Sequence, residues 1–301
     1  MTSKQEREER EEVYQNRIIY SLPVHLGLWN EELALRDEKT IIAAYKRDHC
    51  QLLIQKTRKM FRNVLKPTVL AIEAPYVLYG QNYQLKACDV TVSNTNKESS
   101  GLNLSGVINE RDIDVVQHFI HGCSLSASPV GVPCVRNTFR VMGCKADDKD
   151  GQQVFYGQDV LLQISESSGR PLYLQCENST IDTFGGHLSV RLSQSPDIYC
   201  RFKFLHWNPQ KRYETIGTTF APNTRVIIQH TASGRNLSVE PSHWIPSFYG
   251  PECMVSCHTY RDSHKMETAE NFWKIITRPI SDTALYLRAA KGEDIPLELF
   301  E

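Results

Sequence analysis

The sequence predicts a mainly β protein, a β-trefoil preceded by an N-terminal helical segment. Three observations carry this. Beyond Pro67 the chain becomes short alternating runs of Val, Ile, Leu and Tyr, separated by Gly, Pro, Ser and Asn clusters. One hairpin-like pattern recurs. Gly157–Ile164 followed by Glu166–Tyr173 matches Asn223–His230 followed by Thr231–Ser238, with the same Ser-Gly-Arg turn, and a looser first copy follows Tyr79-Gly80-Gln81. Finally, each copy is followed by two more strand-like pieces, the last opening on an aromatic: Phe139, Phe202 and Phe272, 63 and 70 residues apart. Three repeats of four strands describe six strands closing a barrel and three hairpins capping it, an arrangement with few free edges.

Taken in order, residues 1–30 read as an arm whose first thirteen residues are polar. Asn30 is a candidate helix cap, with Glu31 and Glu32 in the first turn. Residues 31–66 read as helical, with a break expected near Asp37 or Asp48. Leu53, Ile54, Thr57, Met60, Phe61, Val64 and Leu65 form an apolar stripe, and Pro67 stops the helix. The trefoil occupies 67–280, with lobes of about 67–145, 146–210 and 211–280, and a tail covers 281–301. That tail carries Leu285, Tyr286, Leu287, Ile295, Leu297, Leu299 and Phe300 without a helix or strand period, so it is expected to lie along its own domain or along a partner. The first lobe differs in holding a polar insertion around Ser93–Ser100. In the repeated Tyr-Gly-Gln, Gly supplies a positive φ at the turn into the first strand, and Tyr packs its ring on the barrel wall with its hydroxyl wet.

The 301 residues carry a net charge of -1, which argues against a dedicated nucleic-acid binder. The opening MTSKQEREEREE lacks the apolar core of a signal peptide. Val115–Val135 is the longest uncharged run, but its Gln, His, Ser, Pro and Gly would strand polar groups in lipid. No membrane association is expected. Without a secretory context the nine cysteines read as reduced thiols.

Chemistry is scarce. Cys253, Cys257, His258 and His264 resemble a metal cluster, yet the two cysteines would lie roughly 13 Å apart on a strand and His258 would face away. Nucleophile elbows, phosphate loops and dinucleotide or zinc-protease motifs do not occur. The expectation is no catalytic residue, no metal and no cofactor. The clearest charge feature is Lys56, Arg58, Lys59, Arg62 and Lys66, five basic residues with no acidic one among them. They read either as a solvated face or as a docking face for an acidic partner.

Gly27-Leu28-Trp29-Asn30-Glu31, Leu52–Lys56, Leu65–Pro67, Arg136–Phe139 and above all His258-Thr259-Tyr260-Arg261-Asp262-Ser263-His264, followed by Asn271-Phe272-Trp273, together resemble the cilia- and flagella-associated protein 161 family, over about residues 27–277. The resemblance implies a MIR-like trefoil and a non-enzymatic microtubule inner protein. Such a protein braces the A-tubule lumen of axonemal doublets in motile cilia and contacts α- and β-tubulin and neighbouring inner proteins. It implies a cytoplasmic, cytoskeletal location in the ciliary axoneme. Trp29, His258, Tyr260, Asp262 and His264 are the family-motif residues, expected to serve fold or interface. The competing reading is a trefoil that binds sugars or phosphates through repeated pockets, against which the absence of a Q-x-W signature counts.

Overall fold

The computed structural model describes residues 29–90, 101–109, 112–113, 116–145, 147–165, 170–177, 187–279 and 291–292. The polar arm, the Ser93–Ser100 insertion, the Ser168-Gly169 turn and nearly all of the tail lie outside them. The chain divides into two compact units, Met1–Lys56 and Thr57–Glu301.

In the first unit, α1 spans Trp29–Asp48 with Glu31 and Glu32 in its first turn and Lys46 and Arg47 in its last, both favourable to the helix dipole. The helix thus begins at Trp29, one residue before the expected cap at Asn30. The expected break falls after Asp48. There Cys50 takes a φ of 56°, and Gln51 N donates to Lys46 O at 2.6 Å. Asp37 lies within unbroken helix.

α2 spans Leu53–Val64, and Leu65 N still donates to Phe61 O at 2.8 Å just before Pro67. Its apolar stripe is only partly used. Met60 and Val64 are buried, but Leu53 and Ile54 are 59% and 61% exposed. Burial along the stripe thus begins at Met60, in the C-terminal half of the helix.

The strands are β1 Asn82–Ala87, β2 Leu102–Val107, β3 Ser124–Ser128, β4 Phe139–Gly143, β5 Asp159–Ile164, β6 Tyr173–Glu177, β7 Leu188–Ser193, β8 Arg201–His206, β9 Arg225–His230, β10 Leu237–Ser247, β11 Gly250–Cys257 and β12 Phe272–Ile276. Antiparallel pairing runs β1–β4–β5–β8–β9–β12 and returns from β12 to β1, closing a six-stranded barrel. The hairpins β2–β3, β6–β7 and β10–β11 cap it, and β3, β7 and β11 pair with one another around the centre of the cap. This is a β-trefoil, with all three predicted repeats present. A short helix, α3, spans Arg212–Thr215 between β8 and β9.

Barrel strands bury alternate residues, as in Val160, Leu162 and Ile164 of β5, and Phe202 and Phe204 of β8, all at 0% exposure. Each such side chain contributes about 1.5–3 kcal/mol of apolar burial. Gly80 and Gly157 both have a φ of 78°, and Asn223 replaces them in the third lobe at 61°. The expected wet tyrosine hydroxyl is not found at Tyr79. That ring is buried, and its hydroxyl has no hydrogen-bond partner among the described residues. Burial, with Asp148 nearby, drives its pKa far above the usual tyrosine value. Tyr156 is buried too, stacked on Phe220 at 4.6 Å.

A repeat invisible to hydrophobic patterning also emerges. A 3-10 turn precedes each fourth strand: Val135–Asn137, Ile198–Cys200 and Ala269–Asn271. In the first and third lobes the turn ends on a buried Asn. Asn137 Oδ1 accepts from Cys134 N at 2.8 Å, and its Nδ2 donates to Val132 O at 2.9 Å. Asn271 Oδ1 accepts from Tyr260 N at 2.8 Å, and its Nδ2 donates to His258 O at 2.8 Å. Cys200 takes this place in the middle lobe and donates to Ser195 O at 3.3 Å. Burial first, then its bond to Asp197, pushes that thiol up to about 12.

Candidate interaction surface

The third hairpin breaks the threefold repeat. β10 and β11 have 11 and 8 residues, against 5 or 6 for every other cap strand. Register holds from Leu237↔Cys257 to Glu240↔Met254, then resumes at Trp244↔Cys253, so residues 241–243 bulge out. Beyond the bulge the hairpin overhangs the barrel. Trp244, Ile245 and Phe248 on it are 40%, 41% and 39% exposed. Trp244 Nε1 donates to Pro241 O at 2.9 Å, fixing the indole over its own bulge.

A buried ion pair anchors the overhang. Arg136 Nη2 donates to Glu252 Oε1 at 2.6 Å with both side chains 1% exposed, and Arg136 Nε donates to Gly106 O at 3.2 Å. Ser126 Oγ donates to Glu252 Oε2 at 2.7 Å. The guanidinium carbon lies 3.7 Å from the centre of the Tyr249 ring, a cation–π contact at the hairpin tip. Tyr249 in turn meets α2: its ring is edge-on to Phe61 at 5.5 Å, and its hydroxyl donates to Met60 Sδ at 3.4 Å. Burial, partly offset by Arg136, pushes the Tyr249 hydroxyl up to about 12.

The predicted basic residues occupy α2 and the turn after it. Arg58, Lys59, Arg62 and Lys66 are exposed, while Lys56 is half-buried. Arg58, Lys59 and Arg62 form no ion pair among the described residues. Asn63 Nδ2 on the same helix donates to Gln117 O and His118 Nε2, both at 3.1 Å, holding α2 against the first lobe.

The motif residues lie elsewhere and do structural work. Asp262 Oδ1 accepts from His264 N at 2.8 Å and Met266 N at 2.9 Å, closing a tight turn that leaves His264 exposed. Tyr260 donates its hydroxyl to Glu240, and Ser256 Oγ and His187 Nδ1 bind the same carboxylate, the latter at 2.9 Å. The His187 and His258 rings stack at 3.9 Å. Burial opposes ionisation of Glu240, but the Ser256, Tyr260 and His187 contacts outweigh it and hold the carboxyl below its usual value. Trp29 begins α1 and stands apart from this cluster in the sequence.

Spacing within one segment singled out Cys257 but missed its partner Cys176, which comes from a different lobe; both are fully buried. Hydrogen bonding from Cys257 pulls Cys176 down, and burial drives Cys257 up. Cys253 and Cys257 share β11, but among the described residues no three His, Cys, Asp or Glu side chains gather to hold a metal ion. Among those residues, too, no helix is long and apolar enough to cross a membrane.

The cilia- and flagella-associated protein 161-like domain matches residues 56–278. Cilia- and flagella-associated protein 161 of Bos taurus is 30% identical over 290 residues, covering 92% of this chain and 88% of the relative. The Mus musculus protein is 30% identical, covering 92% and 95%, and that of Danio rerio 25%, covering 86% and 88%. Among solved structures, the SDF2-like protein from Arabidopsis thaliana aligns with a TM-score of 0.47 at 16% identity, covering 69% of this chain and 99% of that one. With the family domain matched from α2 to the end of the barrel, the chain belongs to the cilia- and flagella-associated protein 161 family.

Proposed function

We propose that the protein is a non-enzymatic structural component of the axoneme, a microtubule inner protein bracing the A-tubule lumen of doublets in motile cilia. Family membership supports association with cilia and flagella. The observation carrying the finer reading is the closed barrel with its pinned overhang. Six strands pair in a ring, so the barrel offers no free edge to a stray strand, and a buried Arg136–Glu252 pair ties the long hairpin to the first lobe. A rigid body with projecting elements suits a repeating lattice, where several modest contacts add through effective concentration. In this reading its partners are α- and β-tubulin on the lumenal wall and other inner proteins, and the basic stretch of Lys56, Arg58, Lys59, Arg62 and Lys66 meets an acidic neighbour.

A tagged copy expressed in ciliated cells tests the assignment. Retention in detergent-extracted axonemes, and trefoil-sized density inside the A-tubule in maps of intact doublets, is the expected result. Complete extraction with the membrane and matrix fraction would refute it. Binding to preformed microtubules is a poor assay because a lumenal site is closed to diffusion from outside.

A further inference from the structure

Residues 57–66 carry three kinds of surface around one helical axis. At about 3.6 residues per turn, Arg58, Arg62 and Lys59 share a stripe, with Asn63 along one border and Phe61 and Leu65 along the other. Between Asp48 and Glu73 the sequence contains no acidic residue. Arg58, Lys59 and Arg62 are exposed and form no ion pair among the described residues. Arg58 and Arg62, four apart, repel each other, so a carboxylate brought to the stripe stabilises it.

Each border leads to an apolar feature. On the Asn63 side lies a pocket of about 100 Å³, lined by Asn63, Val64, Lys66, His118, Phe119 and Val135. Val64, Phe119 and Val135 are buried, whereas Lys66 and His118 are exposed. Asn63 Nδ2 donates to His118 Nε2 at 3.1 Å, so the neutral imidazole carries its proton on Nδ1. On the other side, Phe61 meets Phe248 edge-on at 6.2 Å and Tyr249 at 5.5 Å, and the tip of the β10–β11 hairpin forms a wall. Leu65, one turn on from Phe61, is 41% exposed. The surface is preformed: Asn63 is fastened to Gln117 O at 3.1 Å and Phe61 to the hairpin, so a partner need not order it.

Size and charge select the occupant. The pocket is smaller than the roughly 150 Å³ that admits a benzene ring, so it takes an aliphatic side chain and excludes a nucleobase. The chain's net charge of -1 also lacks the basic excess of a nucleic-acid binder. Strand addition at the hairpin tip is disfavoured. Pro246 and Pro251 pair across it, and neither has an N–H to offer a further strand. A partner is therefore held through side chains.

We propose that this face docks an acidic segment of another protein. An aliphatic side chain of that segment enters the pocket, its carboxylates lie on Arg58, Lys59 and Arg62, and its far edge rests on Leu65 and Phe248. The surface deepens the axonemal reading and rests on it only for where that protein is met.

Cross-linking before fractionation judges the two separately. Full-length tagged protein in permeabilised ciliated cells is treated with a zero-length carbodiimide, which joins a lysine to a carboxylate only where the two touch. Axonemal and extracted fractions are then separated and the linked peptides sequenced. The expected product joins Lys59 to an Asp or Glu of a different protein, in a stretch of about ten residues rich in carboxylates and holding a Val, Ile or Leu. Its yield should fall several-fold at 1 M salt, where the Debye length is about 3 Å. His118→Trp, which fills the pocket mouth and keeps the cations, should lower the yield about fivefold. Arg58→Glu/Arg62→Glu, which leaves Lys59 open to the reagent, should lower it as much; both variants should melt within about 2 °C of the parent. No Lys59 link, a link only to carboxylates of this sequence, a linked stretch of other composition, loss of the link on nuclease pre-treatment, or unchanged yield in either variant would each overturn the surface. The expected link recovered only from the extracted fraction would overturn the axonemal assignment and leave the surface standing.

Discussion

Replacing Glu252 with Gln keeps the shape of the side chain and removes its charge, leaving the Arg136 guanidinium buried without a counterion. Both partners are 1% exposed, and the guanidinium's remaining contacts are Gly106 O at 3.2 Å and the Tyr249 ring. Breaking one side of such a pair costs about 3–5 kcal/mol. At about 2–4 °C per kcal/mol for a domain of this size, the melting temperature should fall by roughly 6–20 °C. Urea denaturation should show a lower midpoint at unchanged slope, since the surface exposed on unfolding is the same. Arg136→Met/Glu252→Leu, which removes both charges, should lose less than either single change, because the penalty arises from the orphaned ion. A Glu252→Gln protein within about 1 kcal/mol of the parent would show that the pair is hydrated in solution and that the overhang is not held by it.

Other consequences follow from the same geometry. The folded-state pKa of Glu240 is depressed, so its contribution is full above the ordinary carboxylate value of 4.5 and is lost as pH falls below it. Glu240→Gln should therefore lower stability at neutral pH and flatten its decline in acid, as read from melting temperatures between pH 3 and 7. Gly80→Ala should destabilise more than Gly157→Ala in denaturant titrations. Both have a φ of 78°, but a Cβ on Gly80 would meet Asp150 Cγ at 2.4 Å, whereas the nearest atom at Gly157 is Ile216 Cγ2 at 3.4 Å. The left-handed backbone alone costs Ala about 1–2 kcal/mol. A thiol reagent under native conditions should label Cys50 first, because it is exposed, and reach Cys176, Cys253 and Cys257 only on unfolding. Changing Lys56, Lys59 and Arg62 together to Glu should leave the melting temperature within about 2 °C and weaken retention in extracted axonemes; equal retention would mark the face as merely solvated.

The trefoil was legible because its repeats are local. A strand of alternating burial such as β5 announces itself in six residues, and Gly80, Gly157 and Asn223 punctuate each lobe at the same place. The contacts that hold the cap were not legible, because they join lobes. Arg136 and Glu252 are 116 residues apart, Ser126 and Glu252 are 126 apart, and no periodicity relates them. The Tyr79 hydroxyl shows the opposite failure. A residue type that usually keeps its tip wet was placed by that rule, but the packing of the barrel floor overrides it.

The candidate interaction surface sits where the repeat is broken, and this has a physical basis. A threefold barrel needs three short hairpins of matching length to close its cap, and β2–β3 and β6–β7 meet that need with strands of 5 or 6 residues. The additional residues of β10 and β11 add nothing to barrel closure, yet a charged pair fully removed from water secures their base. Two buried charges seldom stabilise a fold more than apolar residues of the same volume would. Their effect here is geometric: Arg136 fixes Tyr249, Tyr249 fixes Phe61 and Met60, and the overhang and α2 are held in one arrangement. If that is their role, Arg136→Met/Glu252→Leu should retain the melting temperature to within a few degrees while hydrogen exchange in residues 244–252 accelerates at least tenfold. Unchanged exchange there would mean that apolar packing of Tyr249 on α2 suffices, and that the ion pair has no part in orienting the hairpin.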